Sequence, residues 1–280
     1  MKKTCEQPLV SVIMPVYNQK ISFLDSSIRS ILNQNYKQFE LIIVDDGSSE
    51  KCCHEYLKKC SQNDPRIKLI RNKINLGPSA SRNRAILESQ GKYIAIMDSD
   101  DIAKLYRLKK QVNFLEENCD ISACGGWAEL IDKCGRIIGY QKLRIDAAEI
   151  RKNILWSNQF VNSTMMFRKK ILVKIGPTVY KNECAPAEDY DLALKLISNY
   201  NLCNLPAVIC SYRINPNGLS SNFQLMEKKA FGARLYAVKY YGYRYNYILP
   251  LMKSAILSVV PTQLLRILFK YYIKTARRKK

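Results

Sequence analysis

Short apolar runs alternate with stretches of helical spacing through the first hundred residues. Residues 10–17, 41–44, 67–70 and 94–97 are compact and rich in β-branched side chains, the pattern of buried strands. Between them, residues 23–34 carry Phe23, Leu24, Ile28, Ile31 and Leu32 at helical spacing. Residues 52–60 read as a helix, and residues 79–90 as another that starts after Pro78 and stops at Gly91. Four strands alternating with three helices predict βαβ units, hence an α/β fold with a mostly parallel, Rossmann-like sheet flanked by helices. Further on, the pattern predicts a helix over 105–115 with Arg107, Lys109 and Lys110 on a solvated face. It then predicts a hairpin over 121–141 turning at 132–135, a helix over 147–156 and a strand over 163–167. A short helix ends at Gly176, and another runs through Leu192, Leu194, Leu196 and Ile197.

The strands end in polar chemistry. Residues 94–97 run into Asp98, Ser99, Asp100 and Asp101, and residues 41–44 run into Asp45 and Asp46. In an open parallel sheet the carboxyl ends of the strands share one edge, where ligands bind. Two aspartates one residue apart can share a hard divalent cation, Mn²⁺ or Mg²⁺, that grips a diphosphate. Residues 75–83, with Asn75, Gly77 and Arg82, open the third helix. Arg82 and the neighbouring Arg84 suit an anionic or sugar ligand there. The glycine spacing of a dinucleotide fingerprint and the Lys-Ser/Thr of a phosphate loop are both missing. Glu188 and Asp189 precede a helical run, where acids serve either catalysis or the helix dipole.

Charge adds a second theme. The chain of 280 residues carries 45 Lys and Arg against 24 Asp and Glu. After Glu227 there is no acidic residue and there are 13 cations. Residues 223–245 read as a helix. The apolar stretch 247–260 is interrupted by Pro250 and Lys253 and followed by Pro261, and falls short of the roughly 20 apolar residues that span a bilayer. From residue 262, Leu264, Leu265, Ile267, Leu268, Tyr271 and Tyr272 line one helical face and Arg266, Lys270, Lys274, Arg277 and Arg278 the other. This amphipathic basic pattern predicts a helix lying on an anionic membrane surface. The ten cysteines include no Cys-x-x-Cys pair and the chain has one histidine, so buried reduced thiols in a cytoplasmic protein are expected rather than zinc. The amino terminus has no apolar signal region.

Taken in order, residues 10–18, 44–48, 75–83, Asp98-x-Asp100, Glu188-Asp189 and Tyr212-Arg213 with Leu219-Ser220 resemble glycosyltransferase family 2, over about residues 8–221. The resemblance implies a GT-A fold and an inverting, metal-dependent transfer from a nucleotide-sugar donor, usually a UDP-sugar. It places Pro15, Tyr17, Asn18, Asp45 and Asp46 at the nucleobase end. Asn75, Gly77, Arg82, Asp98 and Ser99 join them in holding the donor. Asp98 and Asp100 are the implied metal residues, and Asp189, paired with Glu188, is the implied base. One departure is that Asn215 or Asn217 stands where many relatives have histidine, and an amide is the poorer metal ligand. The expected acceptor is a glycan or lipid-linked glycan of cell-surface polysaccharide. Residues 1–221 would form the catalytic domain and 222–280 a helical membrane-associating tail, peripheral to the cytoplasmic face. The rival readings are a basic nucleic-acid-binding protein, for which no motif appears, and a catalytically silent sugar-nucleotide binder.

Overall fold

The computed structural model describes residues 7–215, 222–243 and 247–260. The four buried runs form β1 (Val10–Val16), β2 (Phe39–Asp45), β3 (Ile67–Arg71) and β4 (Tyr93–Ile96). They pair in parallel in the order β3-β2-β1-β4. The crossovers are α1 (Ile21–Leu32), α2 (Lys51–Asn63) and α3 (Pro78–Glu88). Along β1, Val10, Val12 and Met14 join the core that holds Leu24, Ile28 and Ile31 of α1. Ile13 points the other way, into the core that holds Ala85 and Ile86 of α3. The two-residue period of a strand thus feeds two helical layers, which is why these runs are largely apolar on both faces.

The second half holds β5 (Ile102–Ala103), α4 (Arg107–Glu117), β6 (Ile121–Ile131), β7 (Ile137–Gln141) and α5 (Ala147–Asn153). These are followed by β8 (Met166–Arg168), α6 (Lys169–Ile175), α7 (Glu188–Ile197), β9 (Asn201–Arg213), α8 (Phe223–Tyr240) and α9 (Ile248–Val259). The sheet continues β4-β8-β6-β9-β5, with β7 as a branch on β6. Strand β8 is antiparallel to β4 and β6, whereas β9 runs parallel to β6. The hairpin turns where expected, with Gly135 at φ 82°.

Arg107 does not lie on a solvated face. It is fully buried, donating from Nη2 to the carbonyls of Ile96 (2.8 Å) and Met165 (3.3 Å) and from Nε to Gln111 (3.1 Å). Its angular position on α4 is beside Leu108, Gln111, Val112 and Leu115, all buried. Residue type suggested the polar face, but the helix angle puts Arg107 under the sheet, where its donors satisfy carbonyls beyond the ladder.

Helix α8 contributes Ala230, Ala233 and Ala237 to the core shared with α7, and α9 runs back along it. No helix among the described residues is long and apolar enough to cross a membrane. The amphipathic segment expected from residue 262 lies outside the described residues, as does Asn217.

Candidate active site

Strand β4 extends past Ile96 through Met97, whose N–H bonds to Ile13 O at 3.0 Å, and delivers Asp98 to the sheet edge. Asp98 Oδ1 accepts from Arg82 Nη2 at 2.8 Å, and Oδ2 accepts from Ser163 Oγ at 2.9 Å and Asn162 Nδ2 at 3.2 Å. Burial raises the Asp98 pKa, but the Arg82 charge and these hydrogen bonds outweigh it and hold the carboxyl below its ordinary range. Asp100 differs. Burial, and then the negative charge of Asp98, push it up to about 6. Among the described residues no side chain donates a hydrogen bond to its carboxylate. Asp101 is buried, accepts the Arg213 N–H at 2.8 Å, and keeps a second oxygen without a partner among the described residues. Arg213 clamps this loop from β9, donating from Nε to Asp100 O (2.8 Å) and from Nη1 to Asp132 O (3.0 Å).

Across the cleft, α7 begins with Glu188 and Asp189. Glu188 Oε1 receives Arg82 Nη1 at 2.7 Å, so one guanidinium bridges the end of β4 and the start of α7. Glu188 is buried, as is Arg82. Asp189 Oδ2 accepts from Asn158 Nδ2 at 3.0 Å and Oδ1 from the Tyr190 N–H at 2.8 Å. Burial, and then the Glu188 charge, raise Asp189 to about 7. A carboxylate there can take a proton from a hydroxyl near neutral pH. Asn158 hydrogen-bonds the charged form, so it acts to lower the pKa that burial raises. Asn158→Leu is therefore expected to move the acid limb of the kcat/KM profile to higher pH, which a pH–rate series measures.

Arg82, Asp98, Asp100, Glu188 and Asp189 line one cleft of about 310 Å³, with Asn162, Tyr212, Arg213 and Asn215. Phe160, Val161, Pro186 and Met226 add apolar wall, and Gln141 of β7 reaches the rim. The other expected donor residues do not line it. They form an adjoining strip along the strand ends. Tyr17 is exposed at the end of β1, Pro15 is half-buried within it, and Asn18 adopts φ 45°. Asn18 N–H donates to Ser48 Oγ at 3.0 Å, and Ser99 Oγ accepts from Gln19 at 3.0 Å. Asp45 is fully buried and bonded to His54 Nδ1 (2.8 Å) and the Ser48 N–H (2.9 Å). Asp46 accepts from Asn72 Nδ2 (2.6 Å) and from the N–H groups of Leu76 (3.0 Å) and Gly77 (2.8 Å). That last bond ties the strip to the cleft, because Pro78 lines the cleft wall. Gly77 is required by its φ of 88° rather than by close packing, since an added Cβ would meet nothing. Asn75 is exposed and its Oδ1 accepts the Gly77 N–H at 2.9 Å. Gly47, at φ 71°, abuts the backbone of Ile74, which an added Cβ would approach to 2.6 Å.

Sequence reasoning did not single out Asn158, Asn162, Ser163 or the clamping role of Arg213. Asn158 and Asn162 stand in a turn-rich segment, and only the fold brings them to the acids. A divalent cation fits the donor set at Asp100 with Asp98 beside it, because a half-buried carboxylate at a strand end offers a hard cation anionic oxygens that no side chain among the described residues already hydrogen-bonds. Among the described residues no three acidic, His or Cys side chains form a cage.

The fold is the GT-A fold of glycosyltransferases. The mannosyltransferase PcManGT of Pyrobaculum calidifontis, solved in complex with GDP-Man and Mn²⁺, superposes with a TM-score of 0.64 at 16% identity over 97% of this chain and 81% of that one. Residues 11–176 match the family described as Glycosyl transferase family 2. The uncharacterized glycosyltransferase MJ1057 of Methanocaldococcus jannaschii is 39% identical over 76% of this chain and 72% of its own. The Escherichia coli protein WfgD, a UDP-Glc:alpha-D-GlcNAc-diphosphoundecaprenol beta-1,3-glucosyltransferase, is 33% identical over 76% of this chain and 80% of its own. The chain belongs to glycosyltransferase family 2.

Proposed function

We propose that this glycosyltransferase moves one sugar from a UDP-sugar to a hydroxyl of a lipid-linked glycan, with inversion at the anomeric carbon, during cell-surface polysaccharide assembly. The observation that carries the reading is the single cleft that gathers Asp98 and Asp100 from one element and Glu188 and Asp189 from another. Asp189 takes the acceptor proton as the hydroxyl attacks, and Asn158 holds its carboxylate in place. Arg82 keeps Glu188 and Asp98 apart from the proton transfer by pairing with both. Asp100 and Asp98 would hold Mn²⁺ or Mg²⁺, which when bound offsets charge gathering on the departing diphosphate. The strip from Tyr17 to Asp46, with Asn75, Gly77 and Ser99, receives the nucleoside. The UDP and lipid-carrier assignments are supported by the activity named for WfgD, and the cation by the Mn²⁺ in PcManGT. Residues 1–221 carry catalysis in this reading. Residues 222–280 hold the protein to the cytoplasmic face of an anionic membrane, although α8 shares the catalytic core.

A thermal-shift screen of nucleotide sugars with and without Mn²⁺ tests the donor, since a ligand of the folded state raises the unfolding temperature. A UDP-sugar should give the largest cation-dependent shift, and Asp100→Asn should remove that cation dependence. A larger shift with GDP-sugars would overturn the UDP assignment. A shift with no sugar transfer or donor hydrolysis would favour a silent binder. Because Asp189 must be ionised to act and sits near 7, kcat/KM should rise as pH increases through about 7.

A further inference from the structure

Helix α9 is built inside out. At roughly 100° per residue, Ile248, Leu249, Met252, Ile256 and Val259 fall on one arc of about 100°. They are 61%, 64%, 55%, 56% and 74% exposed. The opposite arc carries Pro250 and Ser254, both buried. A helix on a globular surface ordinarily turns its apolar stripe to the core; here Ser254 and Pro250 face inward between half-buried Leu251 and Leu257, while five large hydrophobes face out. The orientation is pinned. Ser254 Oγ donates to Glu227 Oε2 at 3.0 Å and accepts from Arg234 Nη1 at 2.5 Å. Arg234 Nε in turn donates to Leu155 O at 2.8 Å, fixing the pair of helices to the catalytic core. Turning α9 to bury its stripe would break this buried network.

Two observations indicate what the stripe meets. The first is charge: Lys253 is exposed at the flank of the stripe, and the chain from residue 228 onward carries 13 Lys and Arg with no Asp or Glu. An exposed apolar stripe with a lysine at its flank, in a carboxyl-terminal stretch whose charged residues after Glu227 are all basic, matches the boundary between anionic headgroups and acyl chains. The second is continuity with the cleft. Gln224 Nε2 donates to Val260 O at 3.0 Å, so the carboxyl end of α9 lies beside the first turn of α8. From that turn Met226 lines the cleft, together with the apolar wall of Phe160, Val161 and Pro186.

We propose that the outward face of α9 is a membrane-docking surface, seated in the headgroup–acyl boundary of an anionic bilayer with the mouth of the cleft beside it. The proposal rests on the lipid-linked acceptor of the proposed function and names the surface that brings the enzyme to it.

The test uses the full chain with vesicles of phosphatidylcholine mixed with phosphatidylglycerol, and with phosphatidylcholine alone. In Met252→Trp, fluorescence above the background of Trp127 and Trp156 should be quenched by bromine-labelled acyl chains in the mixed vesicles, whereas in Leu87→Trp, on α3, it should not. The double variant Met252→Glu/Ile256→Glu should bind mixed vesicles at least about tenfold more weakly, since two apolar side chains no longer leave water. Its unfolding temperature should be unchanged, because both positions are already exposed. Wild-type binding without quenching in Met252→Trp overturns the proposal while leaving membrane association through residues 262–280 standing. Failure of the wild type to bind either vesicle overturns both. A concentration-dependent dimer that Met252→Glu dissociates, or an indole in Met252→Trp shielded equally with and without vesicles, assigns the stripe to a second copy or to residues 261–280 and overturns it as well.

Discussion

Asp189→Asn is expected to lower kcat by about a thousandfold, within the range general-base removal produces, while donor affinity stays within a few-fold of the wild type. The amide matches the carboxylate in shape, and its single oxygen can keep one of the two bonds that hold this side chain, from Asn158 or from the Tyr190 N–H. It cannot accept the acceptor's proton. Glu188 is one residue away but is no substitute, since it is buried and its Oε1 is held by Arg82 at 2.7 Å. Steady-state kinetics with a calorimetric donor titration separate the two effects. Full turnover in the variant would remove Asp189 from the role of base, and a loss of donor binding equal to the loss of rate would make it a binding residue instead.

The second large effect is on the bridge. Arg82→Leu should destabilise the fold by about 3–5 kcal/mol, the cost of leaving buried charges without their partner, and lower the unfolding temperature by on the order of 10 °C. Glu188 is buried, with 8% side-chain exposure against 7% for Arg82, and Asp98 is half-buried at 24%. Arg82→Lys should recover only part of the loss, because a single ammonium cannot fork between two carboxylates on different elements. The deficit should also depend on pH. Asp98 is held below its ordinary range in the folded protein, so it contributes stability that is present above about pH 4 and is lost as pH falls through its folded value. In Arg82→Leu that contribution is missing, so the gap between variant and wild type should be widest near neutrality and narrow below about pH 4. Thermal unfolding at several pH values measures it, and a gap that does not change with pH would mean that Arg82 packs rather than neutralises.

Much of the sheet was legible because β1, β2 and β4 are buried on both faces and read as compact apolar runs. Their carboxyl ends carry Asp98, Asp100, Asp45 and Asp46, which the sequence pattern alone places at the sheet edge. Strand β9 was not legible. It holds Asn204, Pro206 and two cysteines, and Pro206 falls where the register against β6 shifts between Leu205 and Val208. A proline at such an irregularity does no harm to the ladder, but it erases the strand pattern in the sequence. Strand β5 has only two residues, too few for any periodicity. In the site, acids were visible because strand ends and a helix start presented them. Their supports were not, since Asn158, Asn162 and Ser163 are separated from the residues they hold by 31, 64 and 65 positions. Arg82 lines the cleft, but its engagement by two carboxylates depends on the fold bringing the start of α7 to the end of β4, which no local spacing encodes.

Gly47 sets a boundary on how such an enzyme can be re-engineered. Its backbone sits in the left-handed region against Ile74, with no room for even a methyl group. The distance between the loop after β2 and the loop before α3 is therefore set by main chain on both sides. A mutant library seeking a new donor gains nothing from randomising this position. Variation is better spent on Tyr17 and Asn75, whose exposed side chains border the same seam without holding it shut.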